Sequence, residues 1–214
     1  MSNPFHSIRQ QYEKGTLHEN RMEYDPLIQL GRWVADAIAA ECPEPAAMVL
    51  STTGRALKPS SRVVLMKSLE EGGITFFTNY DSRKGQQLLD NPQASLLFFW
   101  PGLERQVRIE GIIDRVPEEE SDVYFGSRPE ASRISAIISP QSREIPNREW
   151  LEERRQVAVE THNCVNPGSR PKNWGGYRLI PDYFEFWQGR EHRLHDRIRY
   201  QPDSSGWRIS RLAP

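Results

Sequence analysis

The sequence predicts a mainly β protein with flanking helices, an α+β fold organised around a small antiparallel barrel. Between residues 46 and 116, short β-branched and aromatic runs alternate with Gly, Pro, Asn and Asp, as in strands joined by turns. Similar runs return between residues 174 and 212, after a helix-forming stretch over residues 117–163. At 214 residues the chain is long enough to bury a full core. We therefore expect one domain over residues 21–214, preceded by a polar, short-helical or mobile arm over residues 1–20.

The first two helices are predicted from their capping residues. Asp25-Pro26 places a cap and a first-turn proline ahead of apolar residues at helical spacing, which predicts an amphipathic helix as far as Glu41. Asp81-Ser82 likewise precedes RKGQQLLDN, and this second helix would stop before Pro92. Its amino-terminal N–H groups would point at an anion. Three further helices are predicted within residues 117–128, 130–139 and 147–163.

The strands are predicted from short apolar runs bounded by turn residues. The runs that precede the helical stretch are AAMVLSTT, SSRVVLMKSL, GITFFTN, ASLLFFW and RQVRIEGIIDRV. The runs that follow it are WGGYRLI, YFEFWQG, HRLHDRIRY and GWRISRL, and these are expected to complete the barrel. The basic loop NPGSRPKN, residues 166–173, lies between the two groups.

Composition limits the classes of function. Lys and Arg number 28 against 29 Asp and Glu, and this net charge of −1 opposes binding to nucleic acid or to an anionic membrane. The chain starts without an apolar segment and has no run near the roughly 20 residues that cross a bilayer, so we expect a cytoplasmic protein. Cys42 and Cys164 predict neither a disulfide framework nor a metal site. A hydrophobic fraction of 37% that includes six Trp predicts a core completed at a homodimer interface.

The segment RLHDR is the sharpest local feature. Strand alternation would put Arg193, His195 and Arg197 on one face, where they repel one another unless an anion lies among them. An exposed basic edge strand that deters aggregation is an equal alternative. A metal site at His192 and His195 is disfavoured, because residues three apart on a strand face opposite ways.

Three further clusters combine cations with hydroxyl or aromatic groups. Arg62 and Lys67 bracket an apolar strand, and SRKG lies at the predicted start of the second helix. The third cluster is YFGSRP, residues 124–129, with Ser132. Taken singly, each cluster is weak evidence for an anion-binding site, since charged residues at strand ends and helix starts are usually only solvated. Four such clusters exceed what one phosphate needs, so the sequence predicts a β-barrel that binds two phosphorylated aromatic ligands.

Sequence motifs of other phosphate-binding and hydrolytic folds are missing. The chain has no GxGxxG after a strand, no GxxxxGK[ST], no GxSxG and no HExxH. These absences argue against Rossmann dinucleotide binding, P-loop NTPases, α/β-hydrolases and zincins.

At these same motifs the chain resembles the pyridoxine/pyridoxamine 5′-phosphate oxidase family, which has the FMN-binding split-barrel fold. The resemblance runs from about Arg9 to the terminal RLAP, and it rests on RVVLMK, FFTNYDSRKG, LERQVRIEG, YFGSRP and WGGY. It rests above all on EFWQG followed by RLHDR. The resemblance implies a homodimer with FMN at the interface.

Residue by residue, the resemblance implies two sets of ligand contacts. FMN would be held by Arg62, Val63, Val64, Leu65, Met66, Lys67, Phe77, Thr78, Arg83, Lys84 and Gln106, and from the partner subunit by Gln141, Ser142, Trp187 and Arg197. Arg83 and Lys84 would take its phosphate. The substrate would meet Arg9, Tyr12, Lys67, Tyr124, Arg128, Ser132, Arg193, Leu194 and His195. Arg193 and His195 would be the catalytic residues, which position and polarise the reacting carbon.

The implied reaction converts pyridoxine 5′-phosphate or pyridoxamine 5′-phosphate to pyridoxal 5′-phosphate. FMN would accept a hydride from the substrate C4′, and O2 would then take up the electrons and be released as hydrogen peroxide. The alcohol would give the aldehyde directly, whereas the amine would give an imine that water hydrolyses to the aldehyde and ammonia. The chain departs from the family pattern at Arg133, Ser135, Glu44 and the loop over residues 166–173, and these positions bear on the site entrance and on substrate preference.

Three rival functions are kept. A flavin reductase or another split-barrel oxidoreductase would keep FMN without needing RLHDR. A non-catalytic protein that stores pyridoxal phosphate or FMN would bind ligand without producing peroxide. An OB-like nucleic-acid binder would need an excess of positive charge, which this chain lacks.

Overall fold

A computed structural model describes residues 11–70, 72–162, 169–204 and 206–214. Arg9 and Cys164 lie outside these residues. The helices are α1 (Pro26–Ala39), α2 (Arg83–Asp90), α3 (Glu118–Ser127), α4 (Glu130–Ile138) and α5 (Arg148–His162). The strands are β1 (Ala47–Thr53), β2 (Pro59–Leu65), β3 (Ile74–Asn79), β4 (Gln93–Trp100), β5 (Arg105–Arg115), β6 (Trp174–Gln188), β7 (Asp196–Asp203) and β8 (Gly206–Leu212).

Hydrogen bonding orders the strands β2-β1-β4-β5-β6-β7-β8, and β3 pairs with β6. The chain divides into two compact units. The first unit comprises the described residues up to Leu50, together with Ser95–Gly111 and Pro181–Pro214. The second unit comprises Ser51–Ala94 and Ile112–Ile180. The expectation of a single domain over residues 21–214 stays a prediction.

The first unit is organised by antiparallel pairing and by aromatic packing. Phe184 to Gln188 of β6 pair with β7, and β7 pairs along its length with β8. Trp33 of α1 meets Phe186 edge-on at 5.1 Å between ring centroids, and it meets Trp100 at 6.5 Å. These rings are buried, so α1 is held to the sheet by its apolar face, as its periodicity predicted.

The second unit is built on β3, whose residues pair antiparallel with Trp174 to Leu179 of β6. The helix α2 follows β3 directly. Its cap is Ser82, whose hydroxyl accepts a hydrogen bond from the Gly85 N–H. A Cβ on Gly85 would overlap the Tyr80 carbonyl, so only glycine permits this close turn. The predicted caps of α1 and α2 are thus both confirmed.

Two strand predictions are wrong. The runs WGGYRLI and YFEFWQG form the single strand β6. Pro181 lies between them and has no N–H to donate, but its backbone stays extended, so the strand continues through it. The predicted strand over residues 192–200 begins only at Asp196, after a 3₁₀ turn at Glu191–Arg193. His192 and Arg193 have positive φ angles of 55° and 61°, which a strand does not allow. Arg193 therefore does not share a strand face with His195 and Arg197.

Among the described residues, no helix is both long and apolar enough to span a membrane.

Candidate functional site

A cavity of 620 Å³ opens in the second unit, where β2, β3, α2 and the α3–α4 region meet. The groups that line it are cations, hydroxyls, an amide and aromatic rings: Arg62, Val63, Val64, Leu65, Lys67, Phe77, Thr78, Lys84, Tyr124, Arg128, Pro129, Ser132, Gln141 and Trp174. The structure therefore brings together residues of three predicted clusters that are up to 70 positions apart in the chain, from Arg62 to Ser132.

Lys84 supplies a buried ammonium group to the lining of this cavity. Its Nζ donates to Thr78 Oγ1 at 3.0 Å, to Gln141 Oε1 at 3.3 Å and to Ser82 Oγ at 3.5 Å. All of these acceptors are neutral. Burial, followed by the charge of Arg62, lowers the pKa of Lys84 to about 8. A charge in this setting gains free energy when an anion approaches.

Arg62 is oriented by a polar network between β1, β2 and α2. Its guanidinium donates to Thr52 Oγ1 and Ser60 Oγ, each at 2.6 Å, and to Gln87 Oε1 at 3.3 Å. Thr52 and Ser60 in turn donate to the same Gln87 oxygen at 2.7 and 2.8 Å. Burial, followed by the charge of Arg83, lowers the pKa of Arg62. Gln87 was not predicted as a site residue, and its position on the inner face of α2 was the only signal.

A flat aromatic wall also lines the cavity. Phe77 stacks on Tyr124 with 3.9 Å between ring centroids and 17° between planes. Trp174 continues the wall, with 5.7 Å to Phe77 and a nearly parallel plane. Such a wall offers a face to a planar ring. Trp174 was missed as a site residue, although it opens the WGGY motif.

Arg128 lies over this wall, with its guanidinium carbon 4.6 Å from the Trp174 ring centre. Its Nη1 is buried, and no hydrogen-bond partner for it exists among the described residues. Burial lowers the pKa of Arg128. An unsatisfied buried guanidinium nitrogen costs free energy that an incoming phosphate oxygen would recover.

Some predicted residues of the second unit do not line the cavity. Arg83 is exposed on the first turn of α2, Met66 is half-buried beyond the end of β2, and Ser142 is exposed with a φ of 71°. Gln141 accepts from Thr78 Oγ1 at 3.1 Å within its own chain. The expectation that Gln141 reaches the flavin site from the partner subunit stays a prediction.

A second cavity, of 650 Å³, shares part of this lining and extends along α4 and α5. The shared residues are Phe77, Thr78, Arg128, Gln141 and Trp174. Two of its further lining residues, Arg148 and Arg155, add cations from α5. Ser135, one of the departures from the family pattern, also lines it.

The first unit contains a separate group of predicted residues: Tyr12, Trp187 and His195. The Tyr12 ring meets Trp187 and His195 edge-on at 5.8 and 5.7 Å, and Trp187 and His195 are 4.6 Å apart. Arg193 and Leu194 are exposed beside this group, and Gln106 is half-buried on β5.

His195 is held in one tautomer by the turn that precedes it. The Arg190 N–H donates to His195 Nδ1 at 3.1 Å, so the proton of the neutral ring is on Nε2. Burial, followed by the charge of Arg193, lowers the pKa of His195. At neutral pH the ring is therefore neutral and can donate from Nε2.

Arg197 is fastened by a buried carboxylate. Its Nε and Nη2 donate to the two oxygens of Glu185, each at 2.9 Å, and its Nη1 donates to the Ala213 carbonyl at 2.7 Å. Burial alone would raise the pKa of Glu185, but hydrogen bonds from Arg197 and the charge of Arg108 outweigh it and lower that pKa. Glu185 was missed; an acid between Phe184 and Phe186 in an apolar strand was the signal.

The donors of the second-unit cavity fit a phosphorylated planar ligand such as FMN. Among the described residues no carboxylate pairs with Lys84 or Arg128, so both charges are left for an anion. The stacked wall of Phe77 and Tyr124 accepts a ring. The same chemistry suits a phosphorylated pyridine, so the cavity chemistry alone does not separate cofactor from substrate.

Comparisons with known families agree with the motifs. The profile described as pyridoxamine 5′-phosphate oxidase matches residues 34–157. The profile described as the pyridoxine 5′-phosphate oxidase C-terminal dimerisation region matches residues 174–214.

Curated relatives match over nearly the whole chain. A pyridoxine/pyridoxamine 5′-phosphate oxidase of Polynucleobacter asymbioticus is 53% identical over 207 residues, covering 97% of each chain. That of Bordetella pertussis is 53% identical over 97% of this chain and 98% of its own. That of an Acidovorax species is 49% identical over 100% of this chain and 98% of its own.

Solved structures with the same fold include PhzG from Burkholderia lata 383, in complex with tetrahydrophenazine-1-carboxylic acid. It is 32% identical, covers 92% of this chain and 96% of its own, and has a TM-score of 0.86. A pyridoxamine 5′-phosphate oxidase-related, FMN-binding protein from Nostoc punctiforme is 14% identical, covers 88% and 95%, and has a TM-score of 0.68. These likenesses confirm the predicted mainly β, split-barrel fold class.

Proposed function

The chain belongs to the pyridoxine/pyridoxamine 5′-phosphate oxidase family, and from this premise we propose that it is an FMN-dependent oxidase of vitamin B6 biosynthesis and salvage. It converts pyridoxine 5′-phosphate or pyridoxamine 5′-phosphate to pyridoxal 5′-phosphate. Molecular oxygen is the electron acceptor and hydrogen peroxide is released, with ammonia as a further product from the amine. A cytoplasmic location stays a prediction from the sequence.

The main support is the second-unit cavity, which combines buried cations with a stacked aromatic wall. Lys84 and Arg128 can each accept a phosphate as a charge partner, and they lie in a cavity large enough for more than one ring system. Two phosphorylated ligands explain why several cationic groups meet in one cavity of a chain whose net charge is −1.

In this proposal FMN is held mainly by the second unit. Lys84 and Arg62 neutralise its phosphate, and Gln141 of the same chain lies beside Lys84 to accept from it. The full set of FMN contacts is Arg62, Val63, Val64, Leu65, Met66, Lys67, Phe77, Thr78, Arg83, Lys84, Gln106, Gln141, Ser142, Trp187 and Arg197. When bound, FMN supplies the hydride acceptor.

The substrate phosphate is bound by Lys67, Tyr124, Arg128 and Ser132. Arg128 is the strongest of these donors, because its buried Nη1 is unsatisfied among the described residues. His195 donates from Nε2 to the oxygen or nitrogen on the reacting carbon, and Arg193 orients that carbon. Arg9, Tyr12 and Leu194 enclose the substrate and exclude water.

We place the FMN at the interface of a homodimer. Residues 174–214 match the family's dimerisation region, and Trp187 and Arg197 belong to that segment. In this arrangement Trp187 and Arg197 complete the flavin site of the partner subunit. Glu185 keeps the Arg197 guanidinium in one orientation for that role.

Purification with added FMN, followed by assay in air, tests this function. The protein is expected to be yellow and to produce aldehyde and peroxide from both phosphorylated substrates, with unphosphorylated pyridoxine as a poor substrate. The matched control is Arg128→Lys, which keeps the charge but loses the planar fork and should raise KM for the phosphorylated substrates only.

Other results would point to the rival functions. A yellow protein that is inert on both substrates but reduces flavin with a nicotinamide donor would be a reductase. A protein that retains pyridoxal phosphate or FMN without releasing peroxide would be a binding protein. A colourless protein would overturn the flavin assignment itself.

A further inference from the structure

Glu104 has a left-handed backbone conformation, which is unfavourable for a residue other than glycine. It lies in the turn between β4 and β5 of the first unit, with φ 56° and ψ 37°, and it is buried. A non-glycine residue in this left-handed region costs free energy, and glycine would fit the turn without that cost. A strained glutamate at a buried turn indicates that its carboxylate has a role.

The carboxylate of Glu104 holds the amino-terminal arm. Its Oε2 accepts hydrogen bonds from the backbone N–H groups of Glu13 at 2.8 Å and Lys14 at 2.9 Å, across 91 and 90 positions of chain. Bonds from N–H groups to an ionised acceptor are stronger than neutral ones. One side chain thus satisfies two donors of a segment that is outside any helix or strand.

The main chain of Glu104 holds the end of β6 at the same time. Its carbonyl accepts from the Gly189 N–H at 2.8 Å and from Gln188 Nε2 at 3.2 Å. The Lys14 ammonium adds a further bond to the Gly102 carbonyl at 2.7 Å. The arm, the turn and the end of β6 are therefore joined through one residue.

The consequence of this junction is the position of Tyr12. A Cβ on Gly189 would come within 2.7 Å of Tyr12 Cγ, so the ring rests directly on that backbone. From there the ring contacts Trp187 and His195. The amides that Glu104 binds belong to the first and second peptide units after Tyr12, so loss of those bonds would release the ring.

We propose that Glu104 is a positioning residue that fastens the arm at Glu13 and Lys14 and so keeps Tyr12 over Trp187 and His195. The fastening is a property of the fold alone, whereas its effect on catalysis rests on the proposed function. Because Tyr12 encloses ligand rather than transferring protons, release of the arm should weaken substrate binding more than it slows turnover.

Limited trypsin digestion of the FMN-loaded full-length protein tests the fastening without any substrate. The Lys14 side chain is exposed, but its backbone is bonded to Glu104. Trypsin should therefore cut the bond between Lys14 and Gly15 faster when the arm is detached. Glu104→Gly removes the carboxylate and relieves the turn; cleavage after Lys14 should be at least about tenfold faster, the loss expected for one charge-assisted hydrogen bond. Glu104→Gln keeps a neutral acceptor and should be intermediate.

Glu44→Gly is the matched control. Glu44 is also a glutamate of the first unit in the left-handed region, with φ 47°, but it is exposed and has no bond to the arm among the described residues. Its cleavage rate should equal that of the wild type. Thermal unfolding of each variant checks that the fold is retained.

Steady-state kinetics complete the test. Glu104→Gly should raise KM for pyridoxine 5′-phosphate about tenfold with kcat within about twofold of the wild type. Unchanged cleavage after Lys14, or a fall in kcat at constant KM, would overturn the proposal. Faster cleavage in a protein that is inert on both substrates would support the fastening and instead reject the proposed function.

Discussion

Two cations of the second-unit cavity and two arginines of the first unit have opposite kinds of partner. In the second unit, Lys84 donates to neutral oxygens and Arg128 lies over an aromatic ring, and burial lowers both pKa values. In the first unit, Arg197 and Arg211 are held by carboxylates, and hydrogen bonds to those carboxylates raise both pKa values. The Arg211 partners are Glu19, at 2.8 and 2.9 Å, and Asp196, at 2.6 Å.

This difference separates cations that can bind a ligand from cations that stabilise the fold by pairing with carboxylates. A guanidinium already paired with a carboxylate has little to gain from a phosphate, whereas a buried cation among neutral groups gains a partner when an anion binds. For these four cations the direction of the pKa shift follows the kind of partner. Arg197 and Arg211 are therefore structural in the first unit, whereas Lys84 and Arg128 are available for binding in the second.

The largest effect on stability should come from removing Glu185, the buried carboxylate that pairs with Arg197. Glu185→Ala leaves Arg197 and Arg108 without their shared partner, and we expect a loss of about 3 kcal/mol in the free energy of unfolding. Glu110→Ala is the control, since its exposed pair with Arg108 should contribute less than about 1 kcal/mol. Urea denaturation measures both. Equal losses would mean that burial of the carboxylate does not matter.

Removing a ligand-binding cation should have the opposite effect: it should weaken ligand binding and leave the stability of the ligand-free protein unchanged or slightly higher. Lys84→Met keeps the volume and abolishes a buried charge, so the FMN-free protein should be as stable as the wild type or slightly more stable. Its affinity for FMN should fall by about 30-fold, which corresponds to roughly 2 kcal/mol. Denaturation of the FMN-free protein and titration by flavin fluorescence check the two statements. A strong loss of stability in the FMN-free protein would show that Lys84 stabilises the fold and does not serve mainly to bind the ligand.

The pH dependence of FMN binding should report Lys84. Its pKa of about 8 in the folded protein lies below that of an unfolded lysine, so the ammonium is lost from the fold as pH rises through about 8. FMN affinity should therefore weaken above pH 8, by up to about tenfold per pH unit, while FMN-free stability rises. Titrations from pH 7 to 9 should give this slope for the wild type and a flat profile for Lys84→Met.

The smallest effect should be on the acidic limb of activity. Burial and the charge of Arg193 lower the pKa of His195, so the neutral ring is present above that pKa and is lost as pH falls through it. Arg193→Ala should move this limb to higher pH, because it removes the charge that helps to lower the His195 pKa. It should also lower turnover while FMN content stays at the wild-type level. A release of FMN would reassign Arg193 to the cofactor.

Local signals predicted the elements whose stabilising contacts are local. Asp25 and Ser82 cap α1 and α2 by accepting from N–H groups two or three residues away, and both caps are written in adjacent residues. The turn at His192 and Arg193 was missed, because neither residue is a Gly or Asn that would signal a positive φ. Once the turn is present, alternation along RLHDR no longer applies.

The candidate site was only partly predictable for a related reason. The motifs identified Lys84, Arg128 and Tyr124, and the cavity unites them. Glu104 and Glu185 were missed because their roles depend on partners that the sequence does not place. Glu104 binds amides 91 and 90 positions away, and Glu185 binds an arginine on the next strand.

By itself the sequence determined the family, the helix caps and the types of group available to a phosphate, since each of these depends on residue identity over a few neighbouring positions. Only the tertiary structure decided which cations are free of carboxylate partners among the described residues, which ring faces which, and where the amino-terminal arm is held. Those properties depend on burial and on distances between residues remote in the chain. Coulombic and hydrogen-bond energies change steeply with both, and no local pattern encodes them.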